Sequence, residues 1–222
     1  MFYGLKDRLR RELFTKKVKF LLDTPPVAIS KEAAPSVLSQ LQHKDVLMYL
    51  AALKSFSKQV PISAVYVVDD GSLTQDDREI LHRHVPDIEI LSLDQLREDG
   101  LPTGGTWERL IAIARLSEKS YVIQLDADTL SLGHLDEVAI AYRNNRSFAL
   151  GTWDGQIIEP VEVCSRRSRG AWHKAIHHVQ ILAEANLFRL ANAEKLRYVR
   201  GCCLLYTSPE PTRLLSISYA VF

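Results

Sequence analysis

The sequence predicts an α/β protein: a mostly parallel, Rossmann-like sheet with helices on both faces. Two observations carry that expectation. Residues 62–68 (I-S-A-V-Y-V-V) and 121–125 (Y-V-I-Q-L) are apolar runs of strand length with almost no polar alternation, as expected of strands covered on both sides. Between them, apolar residues recur every three or four positions, the helical period. Strands alternating with helices build a parallel sheet with crossover helices.

In chain order, Pro25-Pro26 punctuates the start and Val27-Ala28-Ile29-Ser30 reads as a short first strand. Val46, Tyr49, Leu50, Leu53 and Phe56 mark a helix. The strand at 62–68 is stopped by Asp69-Asp70-Gly71-Ser72. Thr74 is placed to N-cap the next helix, with Asp76 and Asp77 in its first turn, where the helix dipole favours acids. Residues 88–93 (I-E-I-L-S-L) form another strand, and Asp99 to Gly105 is loop. Thr106 is expected to cap a helix that lines Trp107, Leu110, Ile111 and Ala114 on one face. The strand at 121–125 ends in Asp126-Ala127-Asp128. Leu135 to Tyr142 marks a helix, 148–150 a strand, and Trp172 to Leu190 a long helix.

Composition sets limits. The 222 residues are 46% hydrophobic and 25% charged, with a formal net charge of +1, which excludes wholesale disorder and a global pull toward nucleic acid. Cys164, Cys202 and Cys203 offer no disulfide framework, pointing to a reducing compartment and a cytoplasmic location. No apolar run approaches the roughly 18 residues of a membrane span. Residues 1–20 hold seven Lys or Arg against Asp7 and Glu12, interleaved with Phe2, Leu9, Leu13, Phe14 and Phe20. Such a segment is either a solvated helix on the domain edge or a peripheral contact with an anionic membrane surface. The expected organisation is a basic amphipathic segment over 1–24, the α/β domain over 25–202, and a distinct tail over 203–222.

In open parallel sheets ligands bind beyond the carboxyl ends of the strands. Two strand ends carry acids, Asp69-Asp70 and Asp126/Asp128, so both are expected to open onto one crevice. Asp126 and Asp128, two residues apart, suit one hard cation such as Mg²⁺ or Mn²⁺, which prefers oxygen and shares its shell with phosphate. Asp69 and Asp70 beside Gly71 offer acceptors for a base or ribose, or simply make a turn. His173 and His177, i and i+4 on one helix, could share a ligand face or be surface residues.

These residues resemble a GT-A glycosyltransferase of the nucleotide-diphospho-sugar transferase superfamily. V-Y-V-V-D-D-G-S (65–72) resembles its nucleotide-binding strand end, Y-V-I-Q-L-D-A-D-T (121–129) its D-x-D strand, and W-E-R-L (107–110) the stretch that often sets a basic residue near the donor phosphates. The resemblance spans roughly residues 25–201. It implies transfer of a sugar from a nucleotide diphospho-sugar, a UDP-sugar favoured, with Mn²⁺ or Mg²⁺. Asp69 or Asp70, with Gly71, would hold the nucleoside, Asp126 and Asp128 the metal and diphosphate, and Arg109 the phosphates. The family's later elements, including a base for the acceptor hydroxyl, have no counterpart here.

Two rival readings use the same residues. In a haloacid-dehalogenase-type phosphatase, Asp126 would be the nucleophile and Asp128 the acid/base, although that motif usually opens its domain. A non-catalytic nucleotide-sugar-binding remnant is the other. Residues 203–222 resemble a translated sequencing-library adapter, C-L-L-Y-T-S-P in one frame and E-P-T-R-L-L-S-I-S-Y-A-V-F in another. On that reading the natural chain continues differently after Cys202, the domain is truncated, and the tail does not pack on the sheet. The competing reading of the tail is a genuine terminal strand.

Overall fold

A computed structural model of the protein describes residues 12–32, 34–101, 103–104, 107–151, 157–171, 179–198 and 201–207. Among the described residues the main sheet has six strands: β1 (Ser36–Leu41), β2 (Ala64–Asp69), β3 (Glu89–Ser92), β4 (Val122–Leu125), β5 (Ala149–Gly151) and β8 (Gly201–Thr207), in the order β3-β2-β1-β4-β8-β5. β3, β2, β1 and β4 run parallel; β8 is antiparallel to both β4 and β5. Among the described residues, the α-helices that follow β1 are α1 (Val46–Ser57), α2 (Gln75–His84), α3 (Trp107–Ser117), α4 (Asp136–Arg143), α5 (Val161–Ala171) and α6 (Val179–Asn186). The chain winds outward from β1 through β2 to β3, then crosses back to β4 on the other side of β1. The order therefore reverses between β1 and β4, the point at which a doubly wound sheet forms its crevice.

Side chains alternate along a strand, and the two faces bury two cores. Val37 and Leu41 of β1, Val65 and Val67 of β2, and Ile123 and Leu125 of β4 pack with Tyr49, Leu50, Leu53 and Phe56 of α1, Leu81 of α2 and Val138 of α4. Leu38, Val68 and Val122 face the other way, against Leu96 and the α3 residues Ala112 and Ile113. A third, smaller cluster gathers Val161 and Cys164 of α5 with Ala193 and Tyr198. It lies beside a two-stranded sheet of β6 (Glu159–Pro160) and β7 (Arg197–Tyr198). There the buried Glu184 accepts hydrogen bonds from Ser168 Oγ at 2.9 Å and from the Tyr198 hydroxyl at 3.0 Å. Burial, joined by the Glu184 charge, pushes the Cys164 thiol up to about 11, which keeps it protonated and unreactive at neutral pH.

One expected strand is corrected, and one helix went unforeseen. Residues 27–30 are not a strand; Val27 and Ser30 donate single backbone bonds to His84 O (2.9 Å) and Ile62 O (2.7 Å). The first strand is Ser36–Leu41, whose polar residues concealed it. Ser36 and Ser39 are buried, and Ser39 Oγ is satisfied by Leu125 O at 2.6 Å. α5 was also missed, because two of the four residues on its buried stripe, Val161, Cys164, Ser165 and Ser168, are serines. Within the expected tail, residues 204–207 pair with Val122–Leu125, Leu204 opposite Leu125 and Thr207 opposite Val122. The sheet thus does not lose the chain after Arg200, and only residues 208–222 of that expected tail lie outside the described residues. Thr106, His173, His177 and residues 1–11 of the expected basic segment lie outside them too. The long helix expected from Trp172 is described only as α6 followed by a 3-10 turn, Leu187–Arg189.

Phe56 is buried at the centre of the larger core. Replacing Phe56 with Ala is expected to cost about 3–5 kcal/mol, read as a lowered urea midpoint with an unchanged slope.

Candidate functional site at the carboxyl edge of the sheet

The two acidic strand ends meet different partners because of strand parity. Asp69 follows Val65 and Val67 onto the α1/α2 face and is only 4% exposed. Its Oδ1 accepts the N–H groups of Gly71 (2.8 Å) and Leu73 (3.2 Å), and its Oδ2 is bonded by the Arg78 guanidinium of α2. Both oxygens are thus engaged in holding the β2–α2 turn. Gly71, with φ of +93°, supplies the left-handed residue this turn needs; its Cα faces open space, so the dihedral angle and not crowding selects glycine. Asp70 continues the ladder by donating its N–H to Leu41 O at 3.2 Å. Its Oδ1 takes the Ser72 N–H (3.0 Å) and hydroxyl (2.6 Å), and its carboxylate stays partly open to solvent.

Asp126 follows Val122 and Gln124 onto the α3 face. There Arg109, in the first turn of α3, donates Nη1 to Asp126 Oδ1 at 3.1 Å, and Gln124 Nε2 donates to the same oxygen at 2.9 Å. Thr129 closes the turn by giving both its N–H (3.3 Å) and its hydroxyl (2.9 Å) to the Asp126 carbonyl. Asp128 is exposed. Burial pushes the Asp126 carboxyl above the ordinary carboxylate range; Arg109 and Gln124 pull it back, and the Asp128 charge adds to the push. Ahead of Arg109, the buried Glu108 accepts the Gly104 N–H at 2.7 Å and so ties the glycine loop to the start of α3. The structure therefore brings Arg109 and Asp126 together, with Asp128 beside them, and sets Asp69 apart in its turn.

Sequence reasoning missed His43, because it misplaced the strand that carries it. His43 opens a single 3-10 turn, His43–Asp45, just past the end of β1. Its N–H donates to Ser72 Oγ at 2.9 Å, and its Nδ1 lies 2.7 Å from Asp77 Oδ2. Asp77 also closes the capping box of α2: the same oxygen accepts from Thr74 N–H (2.8 Å) and Thr74 Oγ1 (2.7 Å), while Thr74 Oγ1 accepts the Asp77 N–H at 3.2 Å. The imidazole is 61% exposed at the carboxyl edge.

Among the described residues, no three His, Cys, Asp or Glu side chains gather where a metal ion could sit, so a closed protein cage of the zinc type is not formed. Two carboxylates are nonetheless what Mg²⁺ or Mn²⁺ commonly takes from protein, with phosphate oxygens and water filling the shell. Asp126 and Asp128 fit that donor set, and an added cation would offset the burial and, to a smaller extent, the Asp128 charge that raise the Asp126 carboxyl.

No protein-family model matches the chain, and no curated protein matches it. Solved structures similar to it include glycosyltransferases. The bifunctional glycosyltransferase WbbM, without ligand, aligns with a TM-score of 0.47 and 12% identity over 82% of this chain and 32% of its own. The mannosyltransferase Ktr4p from S. cerevisiae gives 0.37 and 12% over 77% and 55%. The mannosyltransferase PcManGT from Pyrobaculum calidifontis, in complex with GDP-mannose and Mn²⁺, gives 0.33 and 20% over 59% and 38%. The chain thus spans between 32% and 55% of the length of these proteins.

The two neighbouring aspartates are expected to differ sharply in what they contribute to folding. Asp69→Ala leaves two backbone N–H groups and a partly buried guanidinium without their acceptor, a loss of roughly 2–4 kcal/mol. Asp70→Ala should cost about 1 kcal/mol or less, as at other partly exposed sites. Paired denaturant titrations giving equal losses would contradict the assignment of Asp69 to the turn.

Proposed function

We propose that the protein is a metal-dependent glycosyltransferase that takes its sugar from a nucleotide diphospho-sugar, UDP-linked in preference to GDP-linked. The observation that carries this reading is the Arg109–Asp126–Asp128 group at the reversal point of the sheet: a cation and two carboxylates beside the crevice where such folds bind phosphorylated ligands. Asp126 and Asp128 would hold Mn²⁺ or Mg²⁺, which supplies positive charge to the departing diphosphate. Arg109 is placed to share its guanidinium between Asp126 and a phosphate oxygen. Asp70 and Gly71 border the side of the crevice assigned to the nucleoside, and Asp69 supports them from below. Transfer breaks the bond from the anomeric carbon to the phosphate oxygen and forms one to the acceptor oxygen, whose proton must pass to a base.

The phosphatase reading places a covalent role on Asp126. Arg109 and Gln124 both occupy its Oδ1, which favours a positioned ligand over a free nucleophile. Turnover of an aryl phosphate by this chain would reverse the preference. A remnant that binds donor without transfer is separated from the enzyme by release of free sugar from a radiolabelled donor.

Peripheral contact with an anionic membrane belongs to the same proposal. Among residues 12–23, Leu13, Phe14 and Phe20 are exposed beside the exposed Lys16, Lys17 and Lys19, while Leu21 and Leu22 turn inward onto the core. No helix among the described residues is long and apolar enough to cross a membrane.

Replacing both Asp126 and Asp128 with Ala should weaken Mn²⁺-dependent binding of UDP-glucose by about tenfold or more, the scale of losing direct ligands. Calorimetry showing unchanged affinity, with and without Mn²⁺, would refute the metal assignment. The chain should also sediment with vesicles containing phosphatidylserine and not with phosphatidylcholine alone, and the triple change of Lys16, Lys17 and Lys19 to Glu should cut that binding by about tenfold or more.

A further inference from the structure

We infer that His43, held by Asp77, is a second cationic contact to the diphosphate of the donor, on the opposite side of the crevice from Arg109. The inference rests on the donor-site reading above and adds to it a residue, a ligand group and a pH dependence.

Three features support it. The first is position. β1 is the strand between the two acidic strand ends, paired with β2 on one side and β4 on the other. Leu41 lies opposite Asp69, and His43 is two residues past it. An imidazole there stands where a ligand spanning both acidic ends must pass. The second is orientation. The His43 N–H is fixed to Ser72 Oγ, and Nδ1 is fixed to Asp77 Oδ2. With Nδ1 turned to protein, Nε2 is the nitrogen left for a ligand, and a carboxylate behind an imidazole fixes both tautomer and ring plane. The third is charge. Asp77, through its hydrogen bond and its negative charge, raises the His43 pKa above the ordinary 6.5. Lys44 and Asp45 share its turn, Asp70 lies across the Ser72 hydroxyl, and Arg78 of α2 is engaged by Asp69. Asp77 is the charge that governs the shift.

The sign follows from the shift. His43 is cationic below its raised pKa and loses its charge as pH rises through it, so both the ion pair with Asp77 and any phosphate contact are complete near pH 6.5 and below and fade above the raised value. The diphosphate of a nucleotide sugar has no proton to lose in this range, so the ligand does not share in the change.

The test is calorimetric binding of UDP-glucose and GDP-mannose, with uridine and guanosine as phosphate-free controls, at several pH values between about 6 and about 9, where histidine titrates. The wild-type chain should bind its preferred nucleotide sugar about tenfold more tightly at the low end, the scale of a hydrogen bond to a charged group. His43→Gln should remove that slope and leave nucleoside affinity unchanged. Asp77→Asn should move the midpoint down toward the ordinary histidine value, followed in parallel by the imidazole proton resonance of His43. Nucleotide-sugar binding that needs Asp126 and Asp128 yet keeps its pH slope in His43→Gln would overturn the role of His43 alone. If neither nucleotide sugar binds at any pH, with or without Mn²⁺, the donor-site reading falls and this inference with it.

Discussion

The carboxyl edge of this protein depends on the two-residue period of strands that are buried on both faces. Val65, Val67 and Asp69 lie on one side of β2, while Val122, Gln124 and Asp126 lie on the other side of β4. Each acid is the last residue in a column whose earlier members are locked into a core, so neither can change sides without turning its strand inside out. Asp69 therefore meets Arg78 of α2, and Asp126 meets Arg109 of α3. Two similar-looking acidic motifs become a structural brace and an accessible carboxylate through parity alone.

Much of this was legible in the residues. β2, β3 and β4 stand within two residues of their expected bounds, because runs such as V-Y-V-V and V-I-Q-L are β-branched and apolar with at most one polar residue. The start of α2 was equally readable: Thr74 and Asp77 hold the reciprocal bonds that their spacing announces. Two elements that the sequence concealed, β1 and α5, have serine on their buried faces. β1 hides Ser36 and Ser39 in the sheet and α5 hides Ser165 and Ser168. A hydroxyl that finds a carbonyl or carboxylate inside the fold costs little there, but it erases the apolar pattern that a reader follows. Losing β1 had a second effect, since His43 acquires meaning only as the residue beyond that strand.

The roles of Asp69 and Asp70 illustrate a different limit. Their adjacency showed that they diverge, but which of them turns inward depends on the register of β2 against its cores, a tertiary property. Arg109 is the opposite case. A helix arginine is ordinarily a solvated charge, and only the crossing of α3 behind β4 brings it within hydrogen-bonding distance of Asp126.

The insertion of β8 between β4 and β5 has a consequence for the order in which the molecule assembles. β1 to β4 can pair as soon as residue 125 has been synthesised, because each joins a neighbour already made. β4 then presents a bare edge, and β5 has no partner, until a strand roughly 75 residues further along the chain arrives to bridge them. At ribosomal speeds of about 5–20 residues per second the wait is several seconds. During it, the growing chain carries an open hydrogen-bonding edge on the strand that leads into Asp126. Such edges recruit strands from other molecules, so the nascent protein is most vulnerable to aggregation, and most in need of chaperone cover, in the interval between the synthesis of β4 and that of β8.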